Sequence, residues 1–194
     1  MTLTAPSRKL LPEARKFMSK RTGWIAARRA NAYALTPFEA GEYIPVFGQD
    51  RLVYFDPQAV DPIRLIKNNL IIGGAENCIA ETIILFFKVE ARRRLTAAAE
   101  QYAHQIEETV KAVTVRDAKT RWGSCSSTGR LSFSWRLTMA PPNVLGYVAA
   151  HEVAHLKHMH HGPEFWTLVA KLDPNWEAAE DWLNKHGPGL RRYG

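Results

Sequence analysis

His151-Glu152-Val153-Ala154-His155 is an H-E-x-x-H pattern inside the densest histidine cluster of the chain, which has seven histidines, five of them (His151, His155, His158, His160 and His161) within eleven residues. Residues four apart on a helix share a face, one turn above another. Two imidazoles so placed can hold one metal ion, and Glu152, about 100° round the helix, can reach a water on that metal. That is the constellation of a zinc hydrolase with one Zn2+ per chain. The bare pentapeptide recurs by chance in unrelated chains, and histidine clusters can be solvated surface. The approach to the motif favours a site. Pro141-Pro142 suits a first helical turn and Asn143 is a competent N-cap. Val144, Val148, Val153 and Leu156 then supply apolar surface for docking on a core.

A catalytic zinc takes three protein ligands and leaves a fourth position open. His161 follows His155 by six residues, the ligand spacing of H-E-x-x-H-x-x-G-x-x-H. The glycine position of that pattern holds His158, and histidine is among the side chains that tolerate positive φ. Gly162-Pro163 then stops the turn and starts a new helix. His158 itself competes as ligand but lies roughly 10 Å along the helix from His151. Glu164, Glu177 and Glu180 would make a two-histidine, one-carboxylate site. His161 is the expected third ligand.

A hydrolase also needs a base, an oxyanion stabiliser and a way to hold substrate. Glu152 is the expected general base. Tyr147, one turn before His151, and the nearby His158 and His160 are candidate oxyanion contacts. Arg121-Trp122-Gly123-Ser124 reads as a substrate-contacting strand, since many zinc peptidases add substrate as a strand to a sheet edge and Gly123 would let a backbone approach. The plainer alternative makes Trp122 core and pairs Arg121 with a carboxylate.

These residues need a scaffold. Tyr43–Phe47 and Leu52–Phe55, split by Gly48-Gln49-Asp50, read as a hairpin, and Asn69–Ile72 as a short strand closed by Gly73-Gly74. From about Ile79 to Glu108 the apolar positions keep helical spacing, with Arg92-Arg93-Arg94 facing outward, although Ile83–Phe87 alone also fits a buried strand. Val113–Arg116 is a strand; Lys119–Cys125 and Arg130–Leu137 flank the small-residue turn Ser126-Ser127-Thr128-Gly129. Two helices, about Pro163–Leu172 and Asn175–Lys185, close the chain, with Phe165, Trp166, Val169, Trp176 and Trp182 as core aromatics and aliphatics bracing the metal helix. The expected class is α+β: a small antiparallel or mixed sheet packed on a long helix and on the H-E-x-x-H helix.

Length and composition suit one domain: 194 residues, 46% hydrophobic. The longest apolar run, Ile83–Phe87, is five residues, far below a membrane span of about 18, and the first thirty residues lack a signal-peptide core. Cys78 and Cys125 stand 47 residues apart without C-x-x-C spacing. A reduced, cytoplasmic setting is expected. The net charge of +7 resides entirely in residues 1–30, which hold eight basic side chains against Glu13, while the rest balances at 18 basic and 18 acidic. The expected division is a basic arm, residues 1–22, and a hydrolase domain, 23–194. The arm could meet nucleic-acid phosphates or an anionic surface, or be a solvated helix face packed through Leu10, Leu11, Ala14, Phe17 and Met18.

Arg121-Trp122-Gly123-Ser124-Cys125, followed by His151 to His161 in H-E-x-x-H-x-x-x-x-x-H and by Gly162-Pro163-Glu164-Phe165-Trp166, resembles the YgjP-like metal-dependent hydrolase family, relatives of the SprT-like and WLM metallopeptidases. The resemblance is good from about Asp117 to Gly187 and extends more weakly back to Gly23. It implies a compact zincin-like (minigluzincin-type) fold with His151, His155 and His161 on zinc and Glu152 as base. The expected activity is zinc-dependent peptide hydrolysis. A metal-dependent phosphohydrolase acting on nucleotides, with Arg121, Arg130 or Arg136 in its cleft, is the alternative. A non-catalytic, zinc-stabilised binding module is the second.

Overall fold

The computed structural model describes residues 35–194 other than Lys119, together with the isolated positions 7, 11 and 12. The chain forms two compact units, residues 1–34 and 35–194, and the histidine cluster belongs to the second. The basic arm expected over residues 1–22, and its boundary with the hydrolase domain, fall outside the described residues apart from those isolated positions.

One helix organises the core of the second unit. Helix α1 (Ile79–Gln105) runs 27 residues and buries Ile79, Ile83, Phe87, Ala91, Leu95, Ala99 and Ala103. Each is four residues after the last, so they form one stripe down one side. Ile83–Phe87 is therefore helical. Arg92 and Arg93 are exposed as expected, Arg92 also donating to the Val113 carbonyl (3.1 Å), while Arg94 is half-buried over the Phe47 ring (3.8 Å). Phe87 stacks on Trp135 at 5.7 Å, with Phe38 against both rings.

Two small sheets flank this helix. The first runs β1-β2-β4-β3, from β1 (Tyr43–Val46), β2 (Gln49–Phe55), β3 (Ile63–Ile66) and β4 (Asn69–Ile72). Its first hairpin turns at Phe47-Gly48, both at positive φ (53° and 79°), the backbone a two-residue hairpin turn requires; the turn sits one residue earlier than Gly48-Gln49-Asp50 suggests. Strand β3 leaves no mark in the sequence, because Ile63–Ile66 is an edge strand and mostly exposed, so no burial pattern reveals it. β2 and β4 pair in parallel.

The second sheet runs β5-β7-β6, from β5 (Ala112–Arg116), β6 (Gly123–Cys125) and β7 (Arg130–Ser134). β5 and β7 are parallel, β6 and β7 antiparallel. The strands expected over Lys119–Cys125 and Arg130–Leu137 are both shorter: β7 ends at Ser134 and passes into a fully buried 3-10 turn, Trp135–Met139. The tip of the first hairpin docks on this turn. Phe47 N–H donates to Thr138 O (2.8 Å) and Gly48 N–H to Met139 O (3.0 Å). A Cβ at Gly48 would meet Pro141 Cα at 2.8 Å.

Helix α2 (Pro142–Ala154) starts immediately after that anchor, with Pro141 at the N-cap and Pro142 in the first turn; Asn143 lies inside the helix instead of capping it. Helices α3 (Pro163–Leu172) and α4 (Trp176–Leu190) complete the unit. No described helix is long and apolar enough to cross a membrane.

Arg136 closes the end of the chain. Its side chain is 10% exposed; Nε donates to Asp117 Oδ1 (2.9 Å), and Nη1 donates to the carbonyls of Leu190 and Tyr193. Replacing it by Met would strand those carbonyls, so Arg136→Met is expected to cost about 2–3 kcal/mol, a drop of roughly 5–10 °C in Tm. A melting temperature within a degree of wild type would show that these bonds contribute nothing.

Candidate metal centre

The H-E-x-x-H segment uses the end of a helix. His151 lies in the last turn of α2 and His155 is its C-cap. From there the chain turns back, the amides of Leu156, Lys157 and His158 bonding to the carbonyls of Val153 and Ala154. Among the described residues, positive φ outside glycine occurs only at Phe47, Lys67 and Glu107. The reversal at His158 thus proceeds without the left-handed backbone that its glycine-equivalent position suggests. His161 arrives at the end of this loop, one residue before the Gly162-Pro163 start of α3.

His151, His155 and His161 converge, their nearest ring nitrogens all within 4.8 Å of one another. Nε2 of His161 and Nε2 of His151 are 3.1 Å apart. Two imidazole nitrogens on one tetrahedral zinc stand about 3.3 Å apart, given bonds of about 2.0–2.1 Å, so the pair already has the right separation. His155 Nδ1 lies 3.0 Å from the His158 carbonyl. A carbonyl only accepts, so Nδ1 carries the proton and Nε2 keeps its lone pair for a metal. Burial, then the charges of His155 and His161, hold His151 down at about 4. His155 is lowered by burial, against the bond to His158. Both rings are neutral at pH 7, the form that ligates. Three imidazoles converging from a helix end and a loop fit a borderline-soft divalent metal.

Aromatic rings support this trio. Phe165, fully buried, places its centroid 4.9 Å from His151, 4.6 Å from His155 and 4.7 Å from His161. His161, itself exposed, stacks on Trp166 at 5.9 Å, Trp166 on Trp176 at 4.7 Å, and Trp176 on Tyr147 at 6.4 Å. A chain of rings from α3, α4 and α2 thus steadies the loop ligand. Phe165 and the tryptophans are legible in the sequence as core residues, but nothing in their spacing says that they touch the ligands.

Glu152 is 6% exposed and carries no hydrogen bond to another described residue. Burial pushes its carboxyl up to about 7, against the opposing pull of the Arg121 charge. Burying a carboxyl costs stability, and groups so perturbed beside convergent histidines are candidates for chemistry. Strand β6 runs next to it: a Cβ on Gly123 would sit 2.5 Å from Glu152 Oε1. Cys125, on the same strand, is pushed up to about 11 by burial and then by the Glu152 charge.

The remaining candidates have other surroundings. Tyr147 is buried and its hydroxyl donates to Glu180 Oε1 at 3.0 Å; burial, then Glu180, raises its pKa. Glu180 therefore holds Tyr147 and lies outside the histidine trio, as do Glu164, Glu177 and His158. His158 lines a cleft along α3 with Pro163, Glu164, Thr167, Leu168 and Lys171. His160 is exposed and its carbonyl accepts the Gly162 amide (2.8 Å). Arg121 is exposed near Glu152. Trp122 packs against Gly187 of α4, 2.9 Å from where a Cβ would stand, under the Arg191 guanidinium at 4.5 Å. Of the arginines suggested for a phosphate cleft, Arg136 is committed to Asp117 and the chain's end.

A family model described as YgjP-like, metallopeptidase domain, matches residues 1–186. The chain belongs to the YgjP-like metallopeptidase family. The match extends through the basic arm, well beyond the stretch whose motifs carry the resemblance in the sequence. Membership supports a metal-dependent peptidase, with peptide as the substrate class the family implies. No curated protein matches the chain. Among solved structures, the metallopeptidase zymogen of Pyrococcus abyssi abylysin is similar over 51% of this chain and 97% of that one, at 22% identity and a TM-score of 0.43.

Proposed function

We propose that this YgjP-like chain is a zinc peptidase in which His151, His155 and His161 hold the metal and Glu152 is the general base. The observation that carries the reading is the convergence of three ring nitrogens within 4.8 Å beside a buried carboxyl. A zinc ion there supplies Lewis acidity toward water and the scissile carbonyl. Everything else falls to the chain. Glu152, with a pKa near 7, is matched to take a proton at neutral pH and return it to the leaving amine. A non-catalytic zinc module has no use for that carboxyl.

Substrate is held by strand addition. Among the described residues β6 pairs only with β7 and is the edge of its sheet, so an extended peptide can bond to its outer backbone groups and pass beside Glu152. Arg121, exposed just before the strand, can bond the peptide's carbonyls.

Metal content of the purified protein tests the reading, together with turnover of an unfolded protein such as casein. One zinc per chain is expected, with His161→Ala losing it or binding it at least about 100-fold more weakly. Protein that takes up no metal on reconstitution, or a His161→Ala variant with full zinc, would sink the ligand assignment.

A further inference from the structure

Gly123 begins the edge strand that passes Glu152, paired with Phe133 across the ladder. A Cβ built on it would lie 2.5 Å from Glu152 Oε1, 2.6 Å from Cγ and 2.8 Å from Cδ. Non-bonded carbons settle about 3.5–4.0 Å apart, so nothing larger than hydrogen fits while the glutamate keeps its place. Glycine is usually required where φ must be positive. Gly123 is not among the positive-φ glycines, and its strand pairing is regular. The backbone there would accept any residue, and glycine otherwise weakens a strand. What excludes a side chain is the carboxyl itself. Cys125, two residues on and so on the same face of the strand, also feels the Glu152 charge. The β6 backbone at Gly123 therefore stands directly against that carboxyl.

We propose that Gly123 is a positioning residue: its missing side chain is the space in which the Glu152 carboxyl is held beside the three histidines, with the β6 backbone as the wall behind it. The role rests on Glu152 being the base, so it is tested with two readouts, one of them independent of turnover.

The first is a double-mutant cycle in thermal stability, using Gly123→Ala, Glu152→Ala and the double variant. At an ordinary strand φ, Gly→Ala alone is mildly stabilising through the unfolded state. Here Gly123→Ala is expected to lower Tm by roughly 2–10 °C, and to leave it unchanged or slightly raised once Glu152→Ala has removed the clashing atoms. Equal shifts in both backgrounds overturn the proposal whatever the activity.

The second is peptide turnover. Gly123→Ala is expected to keep its metal and its KM within about threefold while kcat falls about 100-fold, the scale set by a misplacement of roughly 1 Å. Adding Glu152→Asp, one methylene shorter, should restore part of that loss, although Glu152→Asp alone lowers kcat. A raised KM with unchanged kcat would mean that the glycine serves the approach of substrate, and would overturn the positioning role. Coupling in Tm with no turnover by the wild-type protein would uphold the steric assignment and defeat the peptidase reading instead.

Discussion

Glu152→Gln is expected to lower kcat by about 10²–10⁴ with metal content unchanged. The amide fills the same space beside Gly123, so the histidines keep their places, but it cannot accept a proton. Stability should move the other way. The carboxyl's folded-state pKa is raised from 4.5 to about 7, with burial the first cause. Between those values the folded state binds more protons than the unfolded state, so this group's contribution to stability falls as pH rises through the window. The glutamine variant escapes that cost. In metal-free protein its Tm should exceed the wild-type value by an amount that widens from pH 5 to pH 8. His151 and His155, with lowered pKa values, act in the opposite sense, but they are common to both proteins and cancel in the difference. Retention of most of the activity in Glu152→Gln would remove the base assignment, and a Tm difference that does not change with pH would show that the carboxyl is not desolvated.

Phe165→Ala should be the most damaging change outside the ligands. The ring is fully buried and lies within 4.9 Å of all three histidine rings. Truncation leaves a cavity under the site and is expected to cost about 3–5 kcal/mol, on the order of 10 °C in Tm. Because the ring also sets the mutual orientation of the ligands, zinc affinity should fall about 10–100-fold. Phe165→Leu separates the two roles: it refills most of the volume and should recover most of the stability, while affinity stays reduced. If affinity is untouched in both variants, Phe165 is core packing alone.

Local chemistry is the most legible layer of this chain. The i, i+4 stripe of α1 and the apolar lead into His151 follow from helical periodicity, because a helix buries one face and that face repeats every turn. The hairpin at Phe47-Gly48 and the turn at Ser126–Gly129 are visible for the same local reason. Even here tertiary anchoring moves boundaries. The hairpin tip bonded to Thr138 and Met139 places the start of α2 at Pro141-Pro142, and Asn143 has no capping role. The helix that carries His151 ends at Ala154, so His155 joins the histidine trio from a cap and not from a continuing turn.

Long-range pairing leaves no comparable trace. β2 with β4 and β5 with β7 are parallel ladders that join segments distant in the chain, and the exposed edge strand β3 has no buried face to print a pattern. The residue types and spacing of His151, Glu152, His155 and His161 are enough by themselves to nominate a metal site and its candidate ligands, because metal ligation depends on which atoms a turn of helix can bring together. Only the tertiary structure decides what surrounds them. The edge strand in front of Glu152, the Phe165 floor under three imidazoles and the Glu180 carboxylate on Tyr147 each join residues from separate elements, and their contacts come from close packing of the whole core.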